Sequence, residues 1–527
     1  MGTRVTATSS LLRSAPKSAS YLLAALLAAA CAPKFNKTGS SIVNAVSTTS
    51  CDSVMSPGGS MSCPSHVSID NSVGAPDAQN LVIAGYGNNK IHVVCNPNAV
   101  NPAFPGTLCA SVSGADILPS GGTVGVSGSM YTLAGVQGYP VNSGDGGTAL
   151  NAGMYKPTAT AVDAFGNVVL VVPTYHTVRV VCMNSSGVCA NVNGGVPVAG
   201  NVYNLAGPST AAIGSSTNLT QFGYRGPASE ENVASSSAQL NLPSSVAVDS
   251  FNNVVIADTN STRIRVVCQA THAGPALGVC SLANGGGAVT AGRIYTIAGG
   301  ANASCAGRPN GDGCAASSAQ FANPRAVAVD SNNNIAVADS GGTAGSDNLF
   351  SVRVICTTTA GFCAGAVNNL FGQMQNAGGN PVIPGNIYAV ISTTTRSSGS
   401  SSGNIQSIVS NIGTAYGVGF DSNNNLFAAD PGNGTVNVVC AGTAGICAHT
   451  TGGLIDSLGG SNATPLNIYQ LADSGSASDT TIGAGGAVTG SAGVPFNFAT
   501  HALGYYAADG RVIVSDRDNN VIRLMTY

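Results

Sequence analysis

One phrase is written into this chain several times. "SFNNVVIADTNSTRIRVVC" runs from Ser250 to Cys268, "SNNNIAVADSGG" begins at Ser331 and leads to "SVRVIC" ending at Cys356, and "SNNNLFAADPGNGTVNVVC" runs from Ser422 to Cys440. An Asp ends the apolar segment ahead of each phrase. Aligned on it, Asp70, Asp163, Asp249, Asp330, Asp421 and Asp509 lie 93, 86, 81, 91 and 88 residues apart. Six units of one supersecondary design follow, and repetition of this kind makes an array, not a string of unrelated domains.

In the third unit the apolar segments are "SVAVD", "NVVIAD", "RIRVVC" and "RIYTIAG". All are short, rich in Val and Ile, and bounded by Asn, Gly, Asp or Ser, so each unit reads as four antiparallel strands. The last segment returns as "MYTLAG" from Met130, "VYNLAG" from Val202, "IYAVIS" from Ile387 and "IYQLAD" from Ile468. A four-stranded sheet cannot bury both faces alone, whereas sheets packed radially on their neighbours can. The expected fold class is therefore all-β, a six-bladed β-propeller with four-stranded antiparallel blades. The sixth unit ends on its third strand, "VIRLMTY", while "SIVNAVSTT" from Ser41 resembles the fourth strand in "NIYAVISTT" from Asn386. Residues near Ile42 to Thr48 are thus expected to supply an N-terminal strand closing the last blade and leaving no open edge.

Composition agrees with a folded array. Only 8% of the 527 residues are charged, Gly numbers 69, and the 44% of apolar residues fall in short alternating runs that can bury a core. The formal net charge is -3 and no basic cluster occurs, which gives no attraction to nucleic acid or anionic lipid.

Residues 1–30 read as an export signal: Arg4, Arg13 and Lys17 precede the apolar run Tyr21–Ala30, about half of what spans a bilayer. No later stretch is expected to form a membrane helix. Cleavage after Ala30 would leave Cys31 at the amino terminus. The ending "LAAAC" resembles the lipobox of bacterial lipoproteins, which implies lipidation at Cys31, although Ala28 stands where that pattern usually has Leu; plain secretion with Cys31 unpaired is the alternative. Residues 31–40 would then form a short tether and 41–527 the propeller. The other fourteen cysteines fall into neighbouring pairs: Cys51 and Cys63, Cys95 and Cys109, Cys182 and Cys189, Cys268 and Cys280, Cys305 and Cys314, Cys356 and Cys363, Cys440 and Cys447. Their spacings are too wide and their His partners too few for zinc, so seven local disulfides are expected.

"GDGGTALNAGMYKPTATAVDAFGN" from Gly144 and "ADTNSTRIRVV" from Ala257 resemble the NHL repeats of secreted bacterial propellers, where a "GDGG" loop, a Pro, "VAVD", "GN", "AD" and "RIR" occur in that order. The resemblance covers nearly all of the chain after residue 40. It implies the propeller fold and says little about activity, since one fold hosts many functions. The units depart from it in length and in their cysteine hairpins. The extra length lies in those hairpins, between third and fourth strands, and in loops of about 20 to 35 residues between blades, such as Gly207 to Pro243. Strand alternation puts the two sets on opposite faces, and the inter-blade face is the expected binding surface.

"DSNNN" at Asp330 and Asp421 opens like a calcium loop but has Ile335 or Leu426 where Gly is needed and Gly341 or Gly432 where Glu is needed, so it reads as a turn. Asp258, Asp339, Asp430 and Asp516 form a second-strand column that holds Gly85 and Pro173 in the first two units. Arg179, Arg265, Arg353 and Arg523 form a third-strand column and are expected to pair with those acids, within a blade or across to the next. "GSSSG", from Gly399 to Gly403, lacks the strand and helix of a nucleophile elbow. His66, His92, His176, His272, His449 and His501 do not recur at one blade position, as the converging ligands of metal-using NHL-type lyases would. Gly144 to Gly147 is followed by neither helix nor Lys, as a phosphate loop would be. Asn218 and Asn433 open Asn-x-Ser/Thr triplets of the kind this composition produces by chance. No catalytic residue, cofactor or metal is assigned.

The reading is an exported, lipid-anchored NHL-type propeller acting as a non-enzymatic binding or scaffold module at the outer membrane or cell surface, or secreted. Its partner is expected to be a protein or glycan, with no nucleic acid and no membrane contact beyond the anchor. Two alternatives stay open: a metal-dependent lyase or lactonase-like propeller enzyme, and a structural subunit of a surface layer or fibre.

Overall fold

The computed structural model describes residues 42–44, 63–70, 79–94, 108, 130–136, 141–208, 231–274, 277–300, 312–340, 351–365, 382–392, 415–431, 435–444, 447, 468–472, 503–506, 511–517 and 521–525. The export signal, the tether, Cys31, Cys51, Cys95, Cys109, Cys305, Gly399–Gly403, Asn218, Asn433, His449, His501 and Asp509 lie outside them.

Alternation of Val and Ile with small residues, broken by Gly-Asn and Asn-Asn turns, gives strands throughout. After β1 (Ile42–Asn44), the first blade is β2 (Pro64–Asp70), β3 (Asn80–Gly85), β4 (Lys90–Val94) and β5 (Met130–Ala134). The second is β6 (Ala159–Val162), β7 (Val168–Val172), β8 (Thr177–Cys182) and β9 (Asn201–Ala206). The third adds a short edge strand, β10 (Val233–Ala234), to β11 (Ser245–Val248), β12 (Val254–Asp258), β13 (Arg263–Cys268) and β14 (Arg293–Gly299). The fourth is β15 (Pro324–Val329), β16 (Ile335–Asp339), β17 (Ser351–Ile355) and β18 (Ile387–Ser392), and the fifth β19 (Gly417–Phe420), β20 (Leu426–Asp430), β21 (Thr435–Val439) and β22 (Ile468–Ala472). Each is an antiparallel meander.

The expectation of six like blades is corrected to five blades of this continuous kind. The remaining strands, β23 (Leu503–Tyr506), β24 (Arg511–Asp516) and β25 (Val521–Met525), form a sheet whose fourth place is taken by β1, with Ile42 opposite Arg523, Val43 opposite Ile522 and Asn44 opposite Val521. The free edge of β25 would otherwise present unpaired N–H and C=O groups. The described pairing spans three residues, shorter than the segment to Thr48 anticipated from sequence; residues 45–48 lie outside the description. First strands touch in series, β2 to β6, β6 to β11, β11 to β15, β15 to β19, β19 to β23 and β23 to β2, as the innermost strands of a propeller do.

The core lies between blades. One cluster joins Val255, Val266 and Tyr295 of the third blade to Val327, Ile335 and Ile387 of the fourth. Similar clusters join the first blade to the second, the second to the third, and the fourth to the fifth. Each sheet therefore depends on its neighbours for burial.

On one face, a buried carboxylate organises each of the second, third and fourth blades. Asp163 Oδ1 accepts the N–H groups of Phe165 and Asn167 at 2.9 and 2.8 Å, which shapes the turn between first and second strands. Its Oδ2 accepts Asn167 Nδ2 and the Val188 N–H, each at 2.9 Å, which ties that turn to the cysteine hairpin. Asp249 holds Val279 and Asp330 holds Phe362 in the same way, both at 2.9 Å. Asn252, Asn333 and Asn424 take positive φ in these turns, the role expected of them in place of calcium binding.

The hairpins close through Cys182–Cys189, Cys268–Cys280, Cys356–Cys363 and Cys440–Cys447, all with buried sulfurs. Cys63 and Cys314 are also disulfide-bonded, to cysteines outside the described residues. Short loops of this size contribute on the order of 2.5 to 3 kcal/mol each in the chain-entropy account.

Gly187, Gly278 and Gly361 enter the hairpins at φ of 65°, 61° and 64°. A Cβ at Gly278 would lie 2.1 Å from Asp249 Oδ2. Gly278→Ala is expected to cost about 2 kcal/mol or more in denaturant unfolding, against less than about 0.5 kcal/mol for Gly442→Ala, where a Cβ meets nothing within 4 Å.

Candidate functional site

The third-strand arginines make their closest ion pairs with acids other than those the sequence pointed to, although the charges of Arg265 and Arg353 still act on the second-strand acids Asp258 and Asp339. Arg179 meets Asp145 at 2.6 Å and Arg353 meets Asp312 at 2.7 Å, while Arg265 lies 3.8 Å from Glu231. All three acids belong to the segment that leads into the same blade, not to a second strand. At its other end each guanidinium donates to a backbone carbonyl, Gly153 at 2.8 Å, Gln239 at 3.3 Å and Gln320 at 2.7 Å. In every case acid and carbonyl stand eight residues apart in sequence. The buried Arg thus clamps the leading segment at two points against the outer strand, where Val233 pairs Ile294 and isolated bridges join Thr148 to Asn201 and Ala315 to Asn386.

The second-strand acids accept their shortest hydrogen bonds from backbone. Asp258 Oδ1 accepts the Asn241 N–H at 2.7 Å, and Asp339 Oδ1 accepts that of Asn323 at 2.6 Å. Strand register puts Val172, not Pro173, in this column, because Pro173 already begins the turn. In the arginine column the first blade has His92 and the fifth Asn437. Asp516 and Arg523 fall in register with the columns, but their side chains lie outside the description.

The histidines are dispersed. His66 Nδ1 accepts the Thr160 N–H at 3.3 Å across two blades, His176 Nδ1 accepts the Leu242 N–H at 2.9 Å, and His92 Nε2 faces Asn88 Nδ2 at 2.9 Å. Among the described residues no three His, Cys, Asp or Glu converge on a point.

On the inter-blade face the residues around the axis differ from blade to blade. Ser65, Thr158 and Ser244 hold equivalent places and donate in series to the carbonyls of Pro157, Ser244 and Arg325 at 3.0, 3.0 and 2.6 Å. The next two places are Arg325 and Tyr416, whose guanidinium carbon and ring centre lie 5.0 Å apart. Across the ring, Tyr86 takes two cations, Arg517 at 4.5 Å and the Lys156 ammonium at 5.0 Å, the latter also 5.6 Å from the Tyr155 ring. These side chains come from three successive sheets. The Lys156 N–H donates to Asn89 Oδ1 at 2.9 Å, and its backbone takes the left-handed conformation, φ 54°, in the bend that precedes β6. The Tyr175 hydroxyl nearby is pushed above its usual pKa by burial and by Tyr155. Among the described residues neither Lys156 nor Arg325 joins an ion pair; Lys156 rests against two tyrosine rings, and Arg325 is held by the Tyr416 ring and by Nε donating to the neutral Ser340 hydroxyl at 3.1 Å.

A second concavity, a groove of about 940 Å³, lies at the outer margin between the third and fourth blades, bordered by Glu231, Arg263, Tyr295 and several glycines. Glu231 accepts the Thr296 N–H at 2.6 Å there and covers part of the β14 edge.

No protein-family model matches this chain, and no curated protein matches its sequence. Solved propellers superpose on it distantly. Virginiamycin B lyase from Staphylococcus aureus is 9% identical with a TM-score of 0.33, covering 88% of this chain and 85% of its own. A protein of unknown function from Bacteroides thetaiotaomicron is 11% identical with a TM-score of 0.40, covering 92% and 74%. The calcium-binding protein regucalcin from Agrobacterium tumefaciens is 8% identical with a TM-score of 0.37, covering 93% of each chain. Likenesses this distant say nothing about activity or ligand.

Burial lowers the pKa of His66 to about 3 and those of His92 and His176 to about 4, so each favours folding at neutral pH and loses that contribution as pH falls from the ordinary 6.5. Burial raises Asp258 and Asp421 to about 6, and their contribution is lost in the other direction, as pH rises from 3.8 toward 6. The two sets oppose each other in global stability, so imidazole NMR reads the histidines cleanly. These three rings are expected to stay neutral from pH 7 to pH 5; midpoints near 6.5 would contradict the burial. Arg353→Met strands Asp312 and is expected to cost about 3 kcal/mol in unfolding experiments, part of it recovered in Arg353→Met/Asp312→Leu.

Proposed function

We propose that this chain is an exported, NHL-type propeller in which the terminal sheet fills a sixth blade position, and that it works as a binding module whose partner, a protein or glycan, docks around the axis on the inter-blade face. One observation carries the reading: Tyr86, Lys156 and Arg517, from three different sheets, gather there in an arrangement that no repeat requires. The opposite face spends its polar groups on the Asp and Asn contacts of its own hairpins. Residues of a repeat protein that break the repeat while sharing one surface are the ones available for recognition.

Disulfides with buried sulfurs suit an oxidising compartment outside the cytosol. No helix among the described residues is long and apolar enough to cross a membrane. Attachment would then come through a lipid on Cys31.

The test is capture from the native cell surface with wild-type protein and with the Lys156→Gln/Arg325→Gln variant as baits. The expected result is a partner retained by the first and lost by the second, with both baits equally folded. Equal capture by both would remove the inter-blade face from the account. A stoichiometric divalent ion surviving dialysis would favour the lyase or lactonase-like enzyme instead.

A further inference from the structure

We infer that the ligand of the inter-blade face is an acidic polysaccharide, one carrying a carboxylate on its sugar rings. The inference rests on the reading of that face as the binding surface.

Lys156 is held by Tyr86 and Tyr155 at 5.0 and 5.6 Å, and Arg325 by Tyr416 at 5.0 Å. An aromatic face attracts a cation through its quadrupole but does not neutralise it, so the charge remains available to an incoming anion. A carboxylate neighbour would have cancelled it, as Asp145 and Asp312 do for Arg179 and Arg353. Arg353 also lies 4.9 Å from the Phe321 ring, so what separates the two sets is the carboxylate: Arg179 and Arg353 have one, and among the described residues Lys156 and Arg325 do not.

The surroundings of the charges select the polymer. Lys156 leads into the second blade and Arg325 begins the fourth, each half-buried beside a half-buried tyrosine ring, Tyr155 and Tyr416 respectively. A polyuronate has the matching composition: single carboxylates that can meet single cations, carried on sugar rings whose apolar faces pack on aromatics. Nucleic acid needs a denser basic stripe than this chain offers.

Affinity electrophoresis through gels containing polygalacturonate, fully methyl-esterified polygalacturonate or dextran tests this. Expected are retardation by the free acid alone, weakening with added salt, and a loss of about five-fold or more in affinity for each of Lys156→Gln and Arg325→Gln, with unfolding midpoints unchanged. Equal retardation by the esterified polymer, unaffected variants, or no retardation by polygalacturonate would overturn the inference. The outcomes separate from those of the docking reading. If the variants fail to capture a native partner but polygalacturonate does not bind, the face stands and the acidic glycan falls. If polygalacturonate binds wild type and variants alike, the charge argument itself is wrong.

Discussion

A buried carboxylate just past the first strand of the second, third and fourth blades is the interaction on which those blades depend. Asp163, Asp249 and Asp330 each collect four N–H donors, two from the adjoining turn, one from an Asn side chain four residues on, and one from the first turn of a cysteine hairpin more than twenty residues away. Donors in such number offset the cost of burying the charge. They also fix geometry, because the turn, the second strand and the hairpin must all arrive for the carboxylate to be satisfied. The disulfide then holds the hairpin in the one position where its N–H reaches the acid, and only Gly fits between them.

The buried arginines do the corresponding work at the outer margin. By holding an acid and a carbonyl eight residues apart, Arg179, Arg265 and Arg353 lay the leading segment along the outer strand before the chain turns inward. Hairpin face and outer margin are thereby committed to architecture. What remains free to vary is the ring of positions around the axis on the other face, and there the residues change from hydroxyls to aromatics and cations. The division of labour between the faces follows from which polar groups the fold has already used.

Much of this is legible in the sequence because the repeat writes it several times. Strand order, the local disulfides, the turn role of "DSNNN" and the pairing of β1 with β25 all follow from recurring apolar segments and cysteines. The arginine partners were missed because Asp145, Glu231 and Asp312 sit in leading segments that look like loops; their signal was the constant spacing to the Pro before each first strand. Pro173 was misplaced by one residue because a turn proline resembled a column member, and only strand register separates the two. Tyr86, Lys156 and Arg325 carried no signal at all, since residues that break a repeat look like noise until the sheets bring them together. The expectation of six like blades was too uniform, because the terminal sheet is shared between the two ends of the chain.

Native-state hydrogen exchange tests the central claim most directly. The amides of Val188, Val279 and Phe362 lie in hairpins near the surface, yet each donates to a buried Asp at 2.9 Å. The account predicts that they exchange as slowly as the amides of the second strands beneath them, through opening of the whole blade. Exchange as fast as that of the exposed turn at Gly194 or Gly285 would contradict it, for the carboxylates would then not be holding the blades together.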